Sequence, residues 1–252
     1  MASARTVRRW AIRLIAVLLV IIVGAAIALA VWAKTGVMEA EPGPLESVLT
    51  EPGLEVAEDA DAMVLRPTGE ADSSLGLVFY PGAKVDADAY AARLVGLAVD
   101  TGTTVVIVKP WLGLALFDPR GLTAFTGHVP EVETWMVGGH SMGGVRACSA
   151  ASEAAALVLF ASYCGTDISD SDIPVLSLSG SADGLSTPQK IAENRDHLPA
   201  SARMVEIPGA SHASFGDYGP QSGDGTPSID DEQMSTAVTG ELTEFARSLS
   251  AG

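Results

Sequence analysis

The sequence is short of positive charge. It has 15 Lys and Arg residues against 31 Asp and Glu, and its formal net charge is −16 at pH 7. Five of the cations lie within residues 1–34, which contain no acidic residue, so the remainder of the chain carries a net charge of −21. Such an acidic chain repels nucleic acid, and it has no Lys/Arg cluster that would bind a row of phosphates. We therefore predict no nucleic-acid partner.

Cysteine is scarce as well. The 252 residues include only Cys148 and Cys164. This spacing does not match a metal site. In an oxidising compartment the pair can form a disulfide, and the alternative is two small buried apolar residues. The sequence leaves both interpretations open.

Charge is absent altogether from residues 14–33, which read LIAVLLVIIVGAAIALAVWA. As a helix this run is about 30 Å long, which is about the thickness of the hydrocarbon layer of a bilayer. The cations before the run place the N-terminus in the cytoplasm and the rest of the chain on the other side. We therefore predict a single-pass membrane protein. The alternative is a cleaved secretory signal, although the apolar region of a signal is usually shorter.

Four segments are predicted along the chain. Residues 1–13 form a cytoplasmic basic segment, residues 14–33 a transmembrane anchor, residues 34–60 a Pro/Glu-rich linker and residues 61–252 a folded domain. The linker is expected because residues 35–58 contain three prolines and six glutamates and have little apolar periodicity.

From about residue 60 onward, short apolar runs alternate with helical patterns. Strands are predicted at 63–66, 75–80, 104–108, 134–137, 156–160, 175–178 and 204–207, and helices at 87–99, 142–153, 188–197 and 230–249. This alternation predicts an α/β fold with a mostly parallel sheet and helices on both of its faces.

The stretch GGHSMGG at residues 138–144 lies between a predicted strand and a predicted helix. It contains the pattern G-x-S-x-G, with Ser141 at its centre. A serine on so tight a strand-to-helix turn has its hydroxyl raised clear of the sheet, and small neighbours let strand and helix approach each other. Ser141 is therefore a candidate nucleophile, and a glycine-rich turn that binds phosphate or merely packs is the alternative.

A serine nucleophile needs a base, and the base needs a group to orient it. Asp183 and His212 each lie in a small-residue loop after a later strand, at the sheet edge where Ser141 is expected. They are the candidate acid and base, in the chain order Ser, Asp, His. Asp217 and Asp224 are rival acids, and His140 is expected to pack beside the site.

An oxyanion formed during acyl transfer needs two preorganised N–H donors. We predict that one is the backbone N–H of Met142, the residue after the nucleophile. The second is expected in the loop Pro81-Gly82-Ala83-Lys84, and it is assigned to Ala83 because proline has no N–H.

The motifs GGHSMGG, SGSADG and PGASHASFG, with YPGAK upstream, resemble those of the α/β-hydrolase fold superfamily over about residues 62–249. More narrowly, the chain looks like the small, lid-poor group of dienelactone hydrolase-like proteins and serine esterases. The resemblance implies that Ser141, Asp183 and His212 are nucleophile, acid and base. The chain departs from the common pattern in two ways. Pro-Gly replaces the usual His-Gly of the oxyanion loop, and serine stands where dienelactone hydrolase has cysteine, so that enzyme's substrate is not implied.

Between the predicted strands at 156–160 and 175–178 there is no room for a helical cap, so an open site is expected. Residues 110–116 (PWLGLAL) are unusually apolar for a loop, and form either a wall for an acyl or aryl group or a short buried element. We therefore predict a membrane-anchored serine hydrolase that acts on small-molecule, lipid or cell-envelope carboxylic esters outside the cytoplasm and needs no cofactor. The alternatives are an acyltransferase with the same triad and a non-catalytic binding domain of the same fold.

Overall fold

The structure is a computed structural model that describes residues 4–69 and 74–250. The chain divides into two units, one ending at Val37 and the other starting at Met38. The first unit is the helix α1 (Ala4–Lys34). Its part Ile12–Lys34 is long and apolar enough to cross a membrane, and a secretory signal satisfies the same criteria of length and composition.

The second unit alternates strands and helices. In chain order they are α2 (Pro42–Leu49), β1 (Leu54–Glu58), β2 (Ala62–Pro67), β3 (Leu75–Tyr80), α3 (Ala91–Thr101), β4 (Thr104–Val108), α4 (Thr123–Thr126), β5 (Thr134–His140), α5 (Met142–Ser149), β6 (Ala156–Phe160), β7 (Val175–Gly180), α6 (Pro188–Glu193), β8 (Arg203–Ile207) and α7 (Asp231–Ser250).

The strands form one eight-stranded sheet in the order β1-β2-β4-β3-β5-β6-β7-β8. Strands β3 to β8 pair in parallel, whereas β1 and β2 are antiparallel to their neighbours. Parallel pairing requires crossovers between strands, and helices lie in these connections except in the one between β6 and β7. The predicted α/β class with a mostly parallel sheet is confirmed.

Two hydrophobic cores lie on opposite faces of this sheet. Successive strand residues point to opposite faces, so Phe79 belongs to one core and Tyr80 to the other. The core that contains Phe79 includes buried residues of α3 and α7, and the core that contains Tyr80 includes buried residues of α4 and α5. Both faces of the central strands are therefore covered, which explains why every residue of β3 and β4 is buried and nearly all of them are apolar.

The structure differs from the expected linker at residues 34–60. Helix α2 begins at Pro42, and proline is tolerated in the first turn of a helix because the N–H it lacks has no helical partner there. Strand β1 pairs with β2 at the edge of the sheet, with Leu54 and Val56 half-buried and its glutamates exposed. Charged side chains are tolerated on an edge strand, because such a strand has a neighbouring strand on one side only and is open to solvent on the other. The compact unit thus begins near residue 38 rather than at 61.

Cys148 and Cys164, whose pairing the sequence left open, form a disulfide with a Cα–Cα distance of 5.5 Å. Both residues are buried in the core that contains Tyr80. The bond ties α5 to the segment after β6, so the helix that follows Ser141 is covalently attached to a neighbouring loop.

Candidate active site

The predicted site residues lie at one edge of the sheet, where the parallel strands end. Ser141 directly follows β5, Asp183 lies three residues after β7 and His212 five residues after β8. The last two loops are joined by a hydrogen bond of 2.8 Å from the N–H of Gly209 to Oγ of Ser181. The fold therefore brings the three loops to a common place although they are far apart in sequence.

Ser141 is held in a strained backbone conformation. Its φ is 54° and its ψ is −122°, a region that residues with a side chain rarely adopt. Its N–H donates to the carbonyl of Phe160 at 3.0 Å, and its carbonyl accepts from Oγ of Ser162 at 2.7 Å. Contacts from the end of β6 therefore hold the sharp turn between β5 and α5.

The glycines around Ser141 are required by close backbone contacts. A Cβ at Gly139 would lie 2.4 Å from the carbonyl carbon of Gly143, and a Cβ at Gly143 would lie 2.1 Å from the carbonyl oxygen of Tyr80. Real Cβ atoms do not approach backbone so closely, so neither position accepts a side chain. The small residues of GGHSMGG thus let α5 pass against the ends of β5 and β3.

Asp183 and His212 form a buried pair. Nδ1 of His212 lies 2.8 Å from Oδ2 of Asp183, and both side chains are almost fully buried. The other carboxylate oxygen, Oδ1, accepts from the N–H groups of Leu185 and Ser186 at 2.8 and 2.7 Å. Because a carboxylate only accepts, Nδ1 of the imidazole donates, which leaves a lone pair on Nε2 in the neutral ring.

Ser141 is linked to His212 through His140, the residue before it, whose ring contacts the ring of His212. In the part of the chain that the structure describes, no hydrogen bond joins Ser141 to His212 directly. The ring of His212 lies beside the ring of His140, with centroids 4.5 Å apart, and His140 immediately precedes Ser141. Among the contacts of the described residues, Oγ of Ser141 has no hydrogen-bond partner. Among the described residues the half-buried hydroxyl is thus not engaged elsewhere.

In the loop after β3, one backbone N–H group has no hydrogen-bond partner among the described residues. The N–H of Gly82 donates to the hydroxyl of Tyr90 at 3.0 Å, and that of Lys84 donates to the carbonyl of Gly113 at 2.8 Å. Within the described part of the chain, the N–H groups of Ala83 and Met142 have no partner. Met142 opens α5, where the N–H groups lack helical acceptors. Both groups are therefore available to an oxygen that enters the site.

A family model described as Alpha/beta hydrolase family matches residues 76–236. This chain belongs to the α/β-hydrolase family. A crystal structure from Xanthomonas campestris, described as a member of the a/b serine hydrolases without lid, has a fold similar to that of this hydrolase. The TM-score is 0.54 at 17% sequence identity, over 79% of this chain and 96% of that chain. No curated protein matches the sequence.

In this hydrolase the segment between β6 and β7, residues 161–174, contains no helix or strand. This segment therefore forms no helical cap, as its short length predicted. Residues 110–116, whose structure the sequence left open, form 3-10 turns at Trp111–Gly113 and Ala115–Phe117 instead of a buried strand.

Tyr90 connects the loop after β3 to His140, the residue before Ser141. The hydroxyl of Tyr90 accepts from the N–H of Gly82 at 3.0 Å and shares a second hydrogen bond, of 2.8 Å, with Nδ1 of His140. Burial, and then the neighbouring His212, lower the pKa of His140 well below its usual value, so its ring is neutral at pH 7. His140 packs beside the site, as expected, and it also helps to place the loop that contains Ala83.

The two rival acids do not bind the imidazole of His212. Asp217 forms a buried ion pair with Arg93 at 2.8 Å. Asp224 accepts from four backbone N–H groups, those of Gly184, His212, Ala213 and Gly225, at 2.7 to 3.0 Å. Its carboxylate therefore holds the loop of Asp183 and the loop of His212 together.

A catalytic role of His212 predicts that the variant Asp224→Asn has a kcat lowered by about 10- to 100-fold and a KM within about twofold of the wild type, because a displaced imidazole impairs chemistry more than binding. An amide offers one acceptor oxygen and turns its NH2 group toward the backbone N–H groups. Steady-state kinetics on the folded variant measure both constants. The exposed Asp230→Asn in the same loop is the control, and an unchanged kcat in Asp224→Asn would contradict the role.

The same contacts predict how stability depends on pH. Burial raises the pKa of Asp224, but the four N–H donors outweigh it and hold that pKa below its usual 3.8. A carboxyl group whose pKa is lowered by folding stabilises the fold above its unfolded pKa, and this contribution is lost as the pH falls through the folded value. The difference in Tm between wild type and Asp224→Asn should thus be constant above about pH 5 and shrink below about pH 4. A difference that persists unchanged at pH 3 would contradict this.

The sequence patterns did not reveal the roles of Tyr90, Ser162 and Asp224. Tyr90 lies among apolar residues before α3, and Ser162 lies in a loop without a motif. Asp224 lies in a Gly/Ser-rich stretch. The feature of the sequence that could have indicated its role is its carboxylate, which accepts hydrogen bonds from backbone N–H groups. Among the residues that the structure describes, no group of three His, Cys, Asp or Glu side chains is placed to hold a metal ion.

Proposed function

We propose that this α/β hydrolase cleaves carboxylic esters with Ser141 as nucleophile, His212 as general base and Asp183 as the group that orients the imidazole. The observation that carries the proposal is the buried hydrogen bond between His212 and Asp183 beside a serine at positive φ. Strained backbone is retained where surrounding contacts impose it, and it is common at catalytic positions.

In the proposed reaction, Nε2 of His212 takes the proton from Oγ of Ser141 while Oγ bonds to the ester carbonyl carbon. The electron pair of the carbonyl moves to its oxygen, which accepts from the N–H groups of Met142 and Ala83. The tetrahedral intermediate then expels the alcohol, which receives the proton from the imidazolium. Water attacks the acyl-enzyme by the same proton transfers and releases the acid.

We further propose that α1 anchors the hydrolase in a membrane with the catalytic unit outside the cytoplasm. The cations before the apolar run and the length of that run support this arrangement. A cleaved signal is distinguished from an anchor by the intact mass of the protein purified from the membrane fraction, because only an anchored chain keeps Ile12–Lys34.

A fluorophosphonate probe tests the catalytic proposal. We expect the full chain in detergent micelles to be labelled, the folded variant Ser141→Ala to lose all labelling, and Ser149→Ala in the exposed part of the same helix to keep it. Labelling that survives in Ser141→Ala would exclude Ser141 as the nucleophile. A folded wild type that is not labelled would favour the binding domain. Ester products formed in the presence of added alcohols would indicate acyl transfer rather than hydrolysis.

A further inference from the structure

Exposed apolar side chains of the second unit are concentrated in one segment. Among its described residues, the large apolar side chains with high exposure are Leu49, Val99, Trp111, Leu112, Leu116, Phe117 and Met204. Four of these fall within residues 111–117. Single exposed apolar residues are ordinary, but a contiguous group marks a surface that contacts something apolar. We call Trp111, Leu112, Leu116 and Phe117 the apolar edge.

The apolar edge is held in place with its largest side chains outward. Trp111 is 58% exposed and Phe117 67% exposed. Beneath them, the buried carboxylate of Asp118 accepts from the N–H of Trp111 at 3.1 Å and pairs with Arg120 at 2.6 Å. Leu112 has a φ of 58°, which is rare for a residue with a side chain. The structure therefore maintains this exposure with specific contacts.

The apolar edge adjoins the candidate active site. The carbonyl of Gly113, the residue after Leu112, accepts from the N–H of Lys84, the residue after Ala83. The 3-10 turn Ala115–Phe117 also packs against α5, the helix that starts at Met142. A molecule lying on the edge is thus next to the N–H groups that were assigned to the oxyanion.

The chain enters the second unit at the same place. The N–H of Met38 donates to the carbonyl of Lys84 at 2.7 Å, and its carbonyl accepts from the N–H of Asp86 at 2.9 Å. Only residues 35–37 separate Met38 from Lys34, the last residue of α1. Even fully extended, this connection spans no more than about 14 Å, whatever the direction of the helix. A membrane crossed by Ile12–Lys34 is therefore always within reach of Lys84 and its neighbours.

Charge does not provide an alternative means of attachment. The chain after residue 34 has a net charge of −21 and lacks a Lys/Arg cluster that would attract anionic headgroups. Tryptophan, phenylalanine and leucine are the residues that enter the boundary between headgroups and acyl chains.

We propose that the apolar edge inserts into the lipid surface beside the anchor, and that the substrate is an ester with a long acyl chain that lies in the same leaflet. This rests on the proposed function and names its substrate class. The acyl chain passes along the edge, so the carbonyl reaches Ser141 without crossing water. The bonds formed and broken are those of the ester hydrolysis described above.

Tryptophan fluorescence tests the contact with lipid independently of catalysis. The full chain is reconstituted in phosphatidylcholine vesicles, and the signal of Trp111 is obtained as the difference between wild type and Trp111→Phe. We expect phosphatidylcholine with brominated acyl chains to quench most of this signal and aqueous iodide to quench little of it. Quenching by iodide alone overturns the lipid contact, as does protection from both quenchers, since the latter indicates a protein partner.

Turnover tests the substrate class. In the same vesicles we compare hydrolysis of an embedded long-chain ester with that of a water-soluble short-chain ester. We expect the ratio of the two rates to fall about tenfold or more in Trp111→Ser/Phe117→Ser. The control, Leu49→Ser/Val99→Ser, changes exposed apolar residues elsewhere and should keep the ratio within about twofold. An unchanged ratio in the first variant overturns the substrate class.

The two failures are distinguishable. A hydrolase that cleaves the soluble ester while Trp111 is quenched by iodide alone keeps the proposed function and loses this inference. A protein whose Trp111 is quenched by brominated lipid but which cleaves neither ester keeps the membrane contact and loses the proposed function.

Discussion

The His212→Ala variant is expected to hydrolyse a soluble ester about a thousandfold or more slowly in kcat than the wild type. In the proposed reaction nothing accepts the proton of Ser141 once the imidazole is absent, and a neutral serine is a poor nucleophile. Asp183 would also be left buried and without its partner. Because a neighbouring ring contacts His212, the comparison requires circular dichroism and a Tm to establish that the variant is folded.

His128→Ala serves as the matched control, since His128 lies in the loop before β5 and pairs with Asp59 at 3.5 Å. We expect its kcat to stay within about twofold of the wild type. Asp183→Asn tests the orienting group: it keeps the shape of the side chain but removes the charge that selects the Nδ1–H tautomer, so kcat should again fall by several orders of magnitude. Near-wild-type turnover in His212→Ala would remove that residue from the mechanism.

The Gly143→Ala variant is expected to lose about 3 kcal/mol or more of folding free energy, or to fail to fold. The added Cβ would lie 2.1 Å from the carbonyl oxygen of Tyr80 and 2.4 Å from that of Pro81. Both are backbone atoms, one at the end of a central strand, so the conflict cannot be relieved by rotating a side chain. Any relaxation moves α5 away from β3 or displaces the loop that contains Ala83. Urea denaturation and thermal unfolding measure the effect, with loss of ester hydrolysis as a second readout.

Gly240→Ala provides the opposite case. Gly240 lies within α7, and a Cβ there meets nothing within 4 Å. Alanine has a better helix propensity than glycine, so this variant should be more stable by about 0.5–1 kcal/mol. If Gly143→Ala unfolds at the same urea concentration as the wild type, the close packing of α5 against β3 is not required for folding.

Strands that are buried on both faces were predicted closely from the sequence. The predicted runs at 75–80, 104–108 and 156–160 coincide with β3, β4 and β6. Their signal is strong because a strand between two cores is apolar at nearly every position. Helix ends were less well predicted: α5 stops at Ser149, and the residues predicted to extend it form a 3-10 turn at Ala151–Glu153.

The edge of the sheet was not predicted. In β1 only two side chains are half-buried, and its two glutamates, which are among those that suggested a linker, are exposed. An edge strand needs little apolar surface, so composition alone does not separate it from a loop. This segment is a strand because it pairs with β2, with Leu54 opposite Pro67 and Glu58 opposite Met63.

Local patterns along the chain determined the apolar helix, the α/β class and the tight turn at Ser141, because each depends on residues that are neighbours in sequence. The order of Ser141, Asp183 and His212 at strand ends followed from the topology of a parallel sheet. Tertiary structure alone decided the contacts between loops: the disulfide of Cys148 and Cys164, the clamp made by Asp224, and the approach of Met38 and Gly113 to Lys84. These contacts bring residues that are separated in the sequence to within a few ångströms of one another. The hydrophobic periodicity of the sequence does not predict which residues approach each other in this way.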